Sequence, residues 1–482
     1  MVFASITFLF LFLPGVLALH FLLPTRARNL LLLVASLLFY AWGEVWYVLL
    51  MVGSIAANTL FGLLVARSRG ERWRRIALAC AVVVNLGLLA SFKYANFLVG
   101  TLNAVITQTG LWVSLAPVHL PIGISFFTFH AISYVVDVYR GQAEPQKDPF
   151  KVALYISLFP QLIAGPIIRY RDIAGQLGRR AVTVDDFAQG VRQFIVGLGK
   201  KVLIANVVAR TADAIFAIPQ SELTSGLAWL GVSCYTIQIF FDFSGYSDMA
   251  LGLGRMFGFH FLPNFNYPYI SSSIREFWRR WHISLSNWFR DYVYISLGGN
   301  RCPPGRVYLN LVVVFFLCGL WHGASWTFVI WGLYHGCFLA AERAGLERKL
   351  GLVWSPIRHL YALVVVMAGW ALFRSGSLSY GLALLSAMAG FAPGTGVEYH
   401  AGLYLNWEVG LALTAGAIGS APVVPVVSQW LSGLVARRAG RARVLVDAGL
   451  AAAGVVALVL VLAACVTWLA AGTYNPFIYF RF

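Results

Sequence analysis

Residues 271–301 read SSSIREFWRRWHISLSNWFRDYVYISLGGNR, and after a short Pro/Gly break an apolar run ends in GLWHGAS at 319–325. Ile274, Phe277, Trp278, Trp281, Leu285, Trp288, Phe289 and Tyr292 recur at three- and four-residue steps, the period of an amphipathic helix. Ser273 followed by Glu276 is a capping-box pattern and predicts a helix start near Ser273. Arg275, Arg279, Arg280 and Arg290 alternate with the aromatics, as in a helix lying at a membrane interface. His282 lies four residues after Trp278 and three before Leu285, so it is expected on the apolar side. His322 follows forty residues later inside the apolar run. Two histidines in apolar surroundings are candidates for a reaction centre, although a buried histidine taken singly is more often a hydrogen-bonded structural residue.

The chain around this stretch is built for lipid. Of its 482 residues 59% are hydrophobic and 11% charged, with a mean hydropathy of +0.74. The apolar residues come in runs of about twenty, the length that crosses a bilayer. Runs such as 450–469 lack the alternation of barrel strands. The prediction is an all-α polytopic membrane protein with roughly 11–13 membrane segments and no separate soluble domain. Residues 1–482 are read as a single membrane domain, with core motifs over 118–375 and further membrane segments over 376–482.

Lys and Arg number 36 against 19 acids, a formal charge of +17. In a soluble protein that excess would suggest nucleic acid. Here it clusters in short loops, so it reports orientation, and no nucleic-acid partner is expected. RSRGERWRR (67–75), the segment 169–180, Lys200 and Lys201, and RRAGRAR (437–443) are assigned to the cytoplasmic face. The first apolar run has no basic residues before it and no A-x-A cleavage site, and Arg26 and Arg28 follow it. It reads as a retained span with the N-terminus outside. Six cysteines without a CxxC indicate neither a disulfide framework nor a metal site.

Several polar residues interrupt the apolar runs. Lys93 and Tyr94 are placed near an interface. Ser125, Thr128, His130 and Asp137 lie in 121–139, a span whose hydroxyls are expected to bond their own backbone. Pro160, Gly165 and Pro166 predict a kink or break. Asp242 and Asp248 are costly in lipid and call for a partner or a function, unless they cap helices at the interface; Ser244 and Gly245 between them suggest a break. GLYHG at 332–336 echoes GLWHG, and its His335 would lie about 20 Å from His322 if one helix carried both. Gly319/Gly323 and Gly332/Gly336 have the spacing that lets helices approach closely. Spacing alone does not choose between the two histidines.

PIGISFFTF, LFPQLIAGPIIRYRD, FDFSGYSDMALGLG, the 266–301 segment and GLWHGASWTFVIWGLYHG together resemble the membrane-bound O-acyltransferase family, and most of all its bacterial branch that serves alginate O-acetylation. The likeness runs from the N-terminal FLFLFLP to at least Ser375. The D-alanine exporter of teichoic acid synthesis is a more distant relative. The resemblance implies a ring of tilted and broken helices around a funnel. It assigns His322 as the catalytic histidine and His282 to a second polar position, occupied by histidine or asparagine; His335 matches no catalytic position.

The activity so implied is acetyl transfer at a bacterial inner membrane. A cytoplasmic thioester, acetyl-CoA or another, supplies the acetyl group, with no bound cofactor and no metal, and a periplasmic acetyltransferase partner completes transfer to a polysaccharide such as alginate. His322 is expected to act as general base on an acceptor hydroxyl, and His282 to orient it, polarise the carbonyl or line the tunnel. The rival reading is a transporter or flippase with Asp242, Asp248, His282 and His322 as a proton or substrate path. Other polymers, such as cellulose, peptidoglycan or teichoic acid, are alternative destinations.

Overall fold

Lipid offers no partner for a bare N–H or C=O, so a long apolar segment closes its own hydrogen bonds as a helix. The computed structural model describes residues 1–436 and 440–476. Among these, six helices are long and apolar enough to cross a membrane: Tyr47–Arg67, Glu71–Lys93, Ser225–Met256, Pro304–His322, Ser355–Arg374 and Arg443–Ala470. Trp407–Gly419 and Val423–Val435 form a pair bent by 62°, and Phe8–Leu22, Ile124–Tyr139 and Leu378–Met388 are shorter apolar helices. The protein is an all-α polytopic membrane protein. The expected break after residue 150 is present: Pro149–Ser157 is followed by the short Phe159–Leu162 and then by non-helical chain. The N-terminal segment packs into the core, where Phe3 stacks on Tyr246 at 4.5 Å.

The basic segments gather at one end. Arg74 donates to the carbonyl of Tyr139 at 2.7 Å, and the Arg171 amide donates to Asp137 at 3.0 Å. Asn29, beside Arg28, donates to the carbonyl of Leu177 at 2.9 Å. The segments 26–28, 67–75 and 169–180 are thereby drawn together. RRAGRAR cannot be placed in this way, because 437–439 lie outside the described residues. Asp137 also accepts from Tyr292 at 2.7 Å, so in 124–139 tertiary partners join the own-backbone bond of Ser133 to His130.

Lys200 and Lys201 do not belong to that end. Helix Val184–Gly199 starts beside Arg180 and carries them away from it, through the π-helical turn Lys200–Ala205. Lys201 is buried and pairs with Asp242 at 2.8 Å; Lys200 pairs with Asp248 at 2.6 Å. The break expected at Ser244–Gly245 is also absent, since Ser225–Met256 is one continuous helix. Its glycines serve packing instead. A Cβ on Gly245 would sit 2.7 Å from the carbonyl oxygen of Gly197, and one on Gly252 2.5 Å from that of Gly190. This contact brings the two lysines against the two acids.

Breaking a buried ion pair on one side strands a charge and costs about 3–5 kcal/mol, a large part of a typical total of about 5–15. Asp242→Asn is therefore expected to reduce the monodisperse fraction after solubilisation, with activity per folded molecule within a few-fold of normal. Normal yield with lost activity would place the pair in the reaction instead.

Candidate active site

Helix Pro304–His322 opens on Pro303 and Pro304 and ends at His322 because Gly323 is extended. The chain turns over 323–325 and returns as Trp326–Ala341. The glycine pairs permit this hairpin: a Cβ on Gly319 would lie 2.3 Å from the carbonyl of Phe328, and one on Gly332 2.2 Å from that of Phe315. The two echoing motifs are thus on facing helices, and the 20 Å separation along one helix does not apply. The Trp331 ring lies 5.1 Å from His322 and 5.2 Å from His335. The indole touches both imidazoles.

A helix C-terminus leaves carbonyls without partners and favours a cation. Lys93 supplies it. Its ammonium donates to the carbonyl of Trp321 and, at 3.4 Å, to those of His322 and to the hydroxyl of Ser125. It also lies 5.8 Å from the centre of the Trp321 ring. Tyr94 donates to the carbonyl of Leu320 at 2.8 Å. Lys93 is buried, so it belongs to the site and not to the interface where the sequence placed it.

His322 is oriented by rings. Trp331 and Phe373 meet it edge-on at 5.1 and 5.2 Å, and Trp321 lies at 4.9 Å. Among the described residues no protein group hydrogen-bonds its ring nitrogens. It borders a cavity of about 370 Å³ shared with Lys93, Ser125 and Trp321, with Glu44 and His119 also on the wall. A second cavity, about 320 Å³, starts at the next residue, Gly323, and is lined by Ser325, Thr327 and Phe373.

The single helix expected over 274–292 is broken at His282. Ile274–Arg280 ends with Trp281 extended, His282 is left-handed at φ 42°, and Ile283–Trp288 resumes. The predicted cap is present in altered form. Ser273 Oγ accepts from the Glu276 amide at 3.1 Å, but Glu276 reaches back to the amide of Ser272. The amides of Ile274 and Arg275 are taken by Glu342 at 2.7 and 2.9 Å. A non-glycine residue in the left-handed region is strained and needs support from its surroundings.

Asn264 gives that support. Its backbone carbonyl accepts from the Ile283 amide at 2.9 Å, and its Oδ1 accepts from the amide and hydroxyl of Ser284 at 3.1 and 2.9 Å. Because an amide N–H can only donate, the atom facing it is the carbonyl oxygen. His282 Nδ1, 3.2 Å from that same oxygen, must then carry a hydrogen. Among the described residues Nε2 of the buried ring has no hydrogen-bond partner. The His282 ring lies 6.1 Å from Trp321, whose indole also contacts His322. Ser284 lines a third cavity, about 200 Å³, with Arg169, Asp172 and His260 at the basic end.

The structure therefore brings both His322 and His282 against the Trp321 ring. Sequence reading missed Lys93 and Asn264 as site residues. The only signal for Asn264 was a polar residue in the proline-bearing loop LPNFNYP at 262–268.

If Asn264 acts by holding the tautomer of His282, Asn264→Ala should lower activity as much as His282→Ala. One buried hydrogen bond corresponds to about tenfold. His282→Asn, which keeps a polar group, is expected to be milder than His282→Ala. Initial rates at matched membrane abundance test this, and full activity in Asn264→Ala would remove its assigned part.

A polytopic membrane protein with a buried histidine between two cavities has the layout of an enzyme that works within the bilayer. Residues 90–348, which hold Lys93, Asn264, His282 and His322, match the model of the membrane-bound O-acyltransferase family. The chain belongs to the membrane-bound O-acyltransferase family and is an O-acyltransferase. It is 43% identical to a "Probable alginate O-acetylase" of Azotobacter vinelandii, with all of both chains covered. The corresponding protein of Pseudomonas aeruginosa is 49% identical over 81% of this chain and 75% of that one. A "Peptidoglycan O-acetyltransferase" of Helicobacter pylori is 37% identical over 80% of this chain and 79% of its own.

Proposed function

We propose that this O-acyltransferase takes an acetyl group from a cytoplasmic thioester, such as acetyl-CoA, and passes it across the bacterial inner membrane for O-acetylation of an exopolysaccharide such as alginate, through a periplasmic acetyltransferase partner. The observation that carries this reading is the run of buried hydrogen bonds and ring contacts from the basic end. It leads from the cavity at Ser284 through Asn264 and His282 to Trp321, and so to His322 on the wall of the opposite cavity. The 23-residue helix Glu71–Lys93 starts in the basic loop and ends in that cavity. With the basic loops cytoplasmic, the N-terminus is periplasmic and the 370 Å³ cavity faces outward. The names of the similar proteins support acetyl as the group and a cell-envelope glycan as its destination.

In the proposed reaction His322 accepts the proton of an acceptor hydroxyl. The oxygen attacks the thioester carbonyl, the C–O bond forms and the C–S bond breaks, and the proton passes to the leaving thiolate. An unprotonated imidazole suits this step. Lys93 holds the helix end that presents the ring, and His282 contributes an unprotonated Nε2 beside Trp321.

The rival transporter reading needs Asp242 and Asp248 free to exchange protons, and their pairing with Lys201 and Lys200 weighs against it. Purified protein in proteoliposomes, given radiolabelled acetyl-CoA and the partner, should release free CoA and label the acceptor. Solute movement with neither product would sink the enzyme reading.

Orientation is tested separately. In a chain with its native cysteines replaced, Arg72→Cys should resist an impermeant thiol reagent added to intact cells, and Thr109→Cys in the opposite exposed loop should react. The reverse pattern would invert the proposed direction of transfer.

A further inference from the structure

A second cavity at the basic end is lined by His20, Arg26, Arg28, Asn29, Arg179 and Arg180 and has a volume of about 320 Å³. Two of its arginines come from the start of helix Thr25–Ala41 and two from the chain just after helix Tyr170–Gly178. Among the described residues none of the four is ion-paired with a carboxylate. Their neighbours are: Arg169 binds Asp172 at 2.7 Å and Arg171 binds Asp291 at 2.5 Å. An uncompensated cluster of four guanidinium groups repels itself. Burial and the nearby Arg28 lower the Arg180 guanidinium to about 10.

The two half-buried arginines are held in place by oxygens that carry no net charge. Arg28 donates through Nε to the carbonyl of Leu23 at 3.3 Å. Arg180 donates through Nε to the carbonyl of Phe257 at 2.9 Å and through Nη1 to Asn29 Oδ1 at 2.6 Å. Asn29 is itself anchored on the carbonyl of Leu177. Both terminal nitrogens of Arg28 and Nη2 of Arg180 are left without a protein acceptor among the described residues. His20 is 1% exposed, and its Nδ1 has no hydrogen-bond partner among the described residues. Helix Thr25–Ala41 has no acid in its first turn, so its N-terminal amides add positive potential to the same space.

We infer that this cavity is a binding site for a phosphate group, gripped by Arg28 and Arg180 from two segments and bordered by Arg26, Arg179 and His20. Arg28, with both terminal nitrogens unspent, can pair with phosphate oxygens through two parallel bonds, which a point charge does not provide, and Arg180 adds its Nη2. The chemistry is shared by two sources. One is the headgroup of an anionic phospholipid in the adjoining leaflet; the other is the nucleotide end of a CoA thioester, and only this second source rests on the proposed function. The site lies apart from His322 and takes no part in the proton transfer assigned to it.

The test is native mass spectrometry of the full-length protein released from phosphatidylcholine nanodiscs, titrated with phosphatidylglycerol in one arm and CoA in the other. The wild-type protein is expected to retain at least one probe, and Arg28→Gln/Arg180→Gln to weaken its retention about tenfold or more. The control Arg348→Gln/Lys349→Gln, an exposed basic pair elsewhere, should leave retention unchanged. Loss confined to phosphatidylglycerol assigns the site to a lipid headgroup, loss confined to CoA assigns it to the donor, and loss of both supports a shared phosphate site. Equal retention by wild type and the double variant, or equal loss in the control, overturns the inference. Should the double variant not fold, Arg26→Gln/Arg179→Gln removes two exposed arginines and is read in the same way. Binding requires no turnover, so failure of the acetyl-transfer reading would leave this result intact.

Discussion

His322→Ala is expected to lower acetyl transfer by about 10²- to 10⁴-fold, the usual loss when a general base is removed, while the protein still inserts and remains monodisperse. Among the described residues no hydrogen bond depends on the His322 ring, which touches three aromatic side chains and borders a cavity. Its removal should therefore affect chemistry more than folding. His322→Gln should not restore the rate, because an amide can hydrogen-bond but cannot take the proton. His335→Ala is the necessary comparison. His335 is fully buried and packs against Trp278 and Trp331, so its truncation opens a cavity and is expected to cost stability, about 2–5 kcal/mol. Activity per folded molecule should stay within about tenfold, since what links it to His322 is packing, chiefly through Trp331. An active His322→Ala beside a well-folded but inactive His335→Ala would show that the wrong histidine has been assigned.

Lys93→Met should be the second most damaging change. It keeps the length of the side chain but leaves the carbonyls at the end of Pro304–His322 unsatisfied in a buried place, a cost of about 1–3 kcal/mol. The larger effect is geometric. Once the helix end relaxes, the His322 ring shifts, and a displacement of about 1 Å in a reacting group can cost about 10²-fold. The expected pattern is a fall in kcat of about ten- to a hundredfold, with little change in the donor KM and near-normal folded yield. Lys93→Arg should recover only part of the rate, because a planar fork does not reproduce a compact ammonium between carbonyls. Wild-type kcat in Lys93→Met would remove Lys93 from the site.

Much of this protein was legible in one dimension. Apolar runs of bilayer length predicted helices because lipid leaves the backbone no other partner. Pro160 and its neighbours marked a real break. Ser273 marked a real helix start, and the glycine pairs around His322 and His335 marked a real close approach. The family motifs singled out His282 and His322, which the fold brings against one indole, Trp321.

The misread helix boundaries went wrong in two opposite ways. Periodicity reports the direction of a side chain relative to its own helix, and it fails where the backbone leaves the helix for a residue or two. The apolar pattern of 274–292 runs on through Trp281 and His282 as though nothing changed, yet a single left-handed residue there separates two helices. At Ser244–Gly245 the opposite happened: residues with the look of a break turned out to be a packing surface in a continuous helix.

Local sequence was enough to settle the solvent of this chain, its helical content and the clustering of its positive charge, since each follows from the transfer cost of groups a few residues apart. It could not say which buried polar group meets which. A lysine or carboxylate in lipid must find a partner, but the identity of the partner depends on how distant helices approach. Lys93 reaches the carbonyl of His322 across 229 positions, Asn264 grips a loop eighteen residues away, and Arg28 and Arg180 come together from opposite ends of the first two hundred residues. Those meetings are set by packing, where glycine contacts and aromatic stacking fix the spacing between helices, and they create both the histidine site and the arginine cavity.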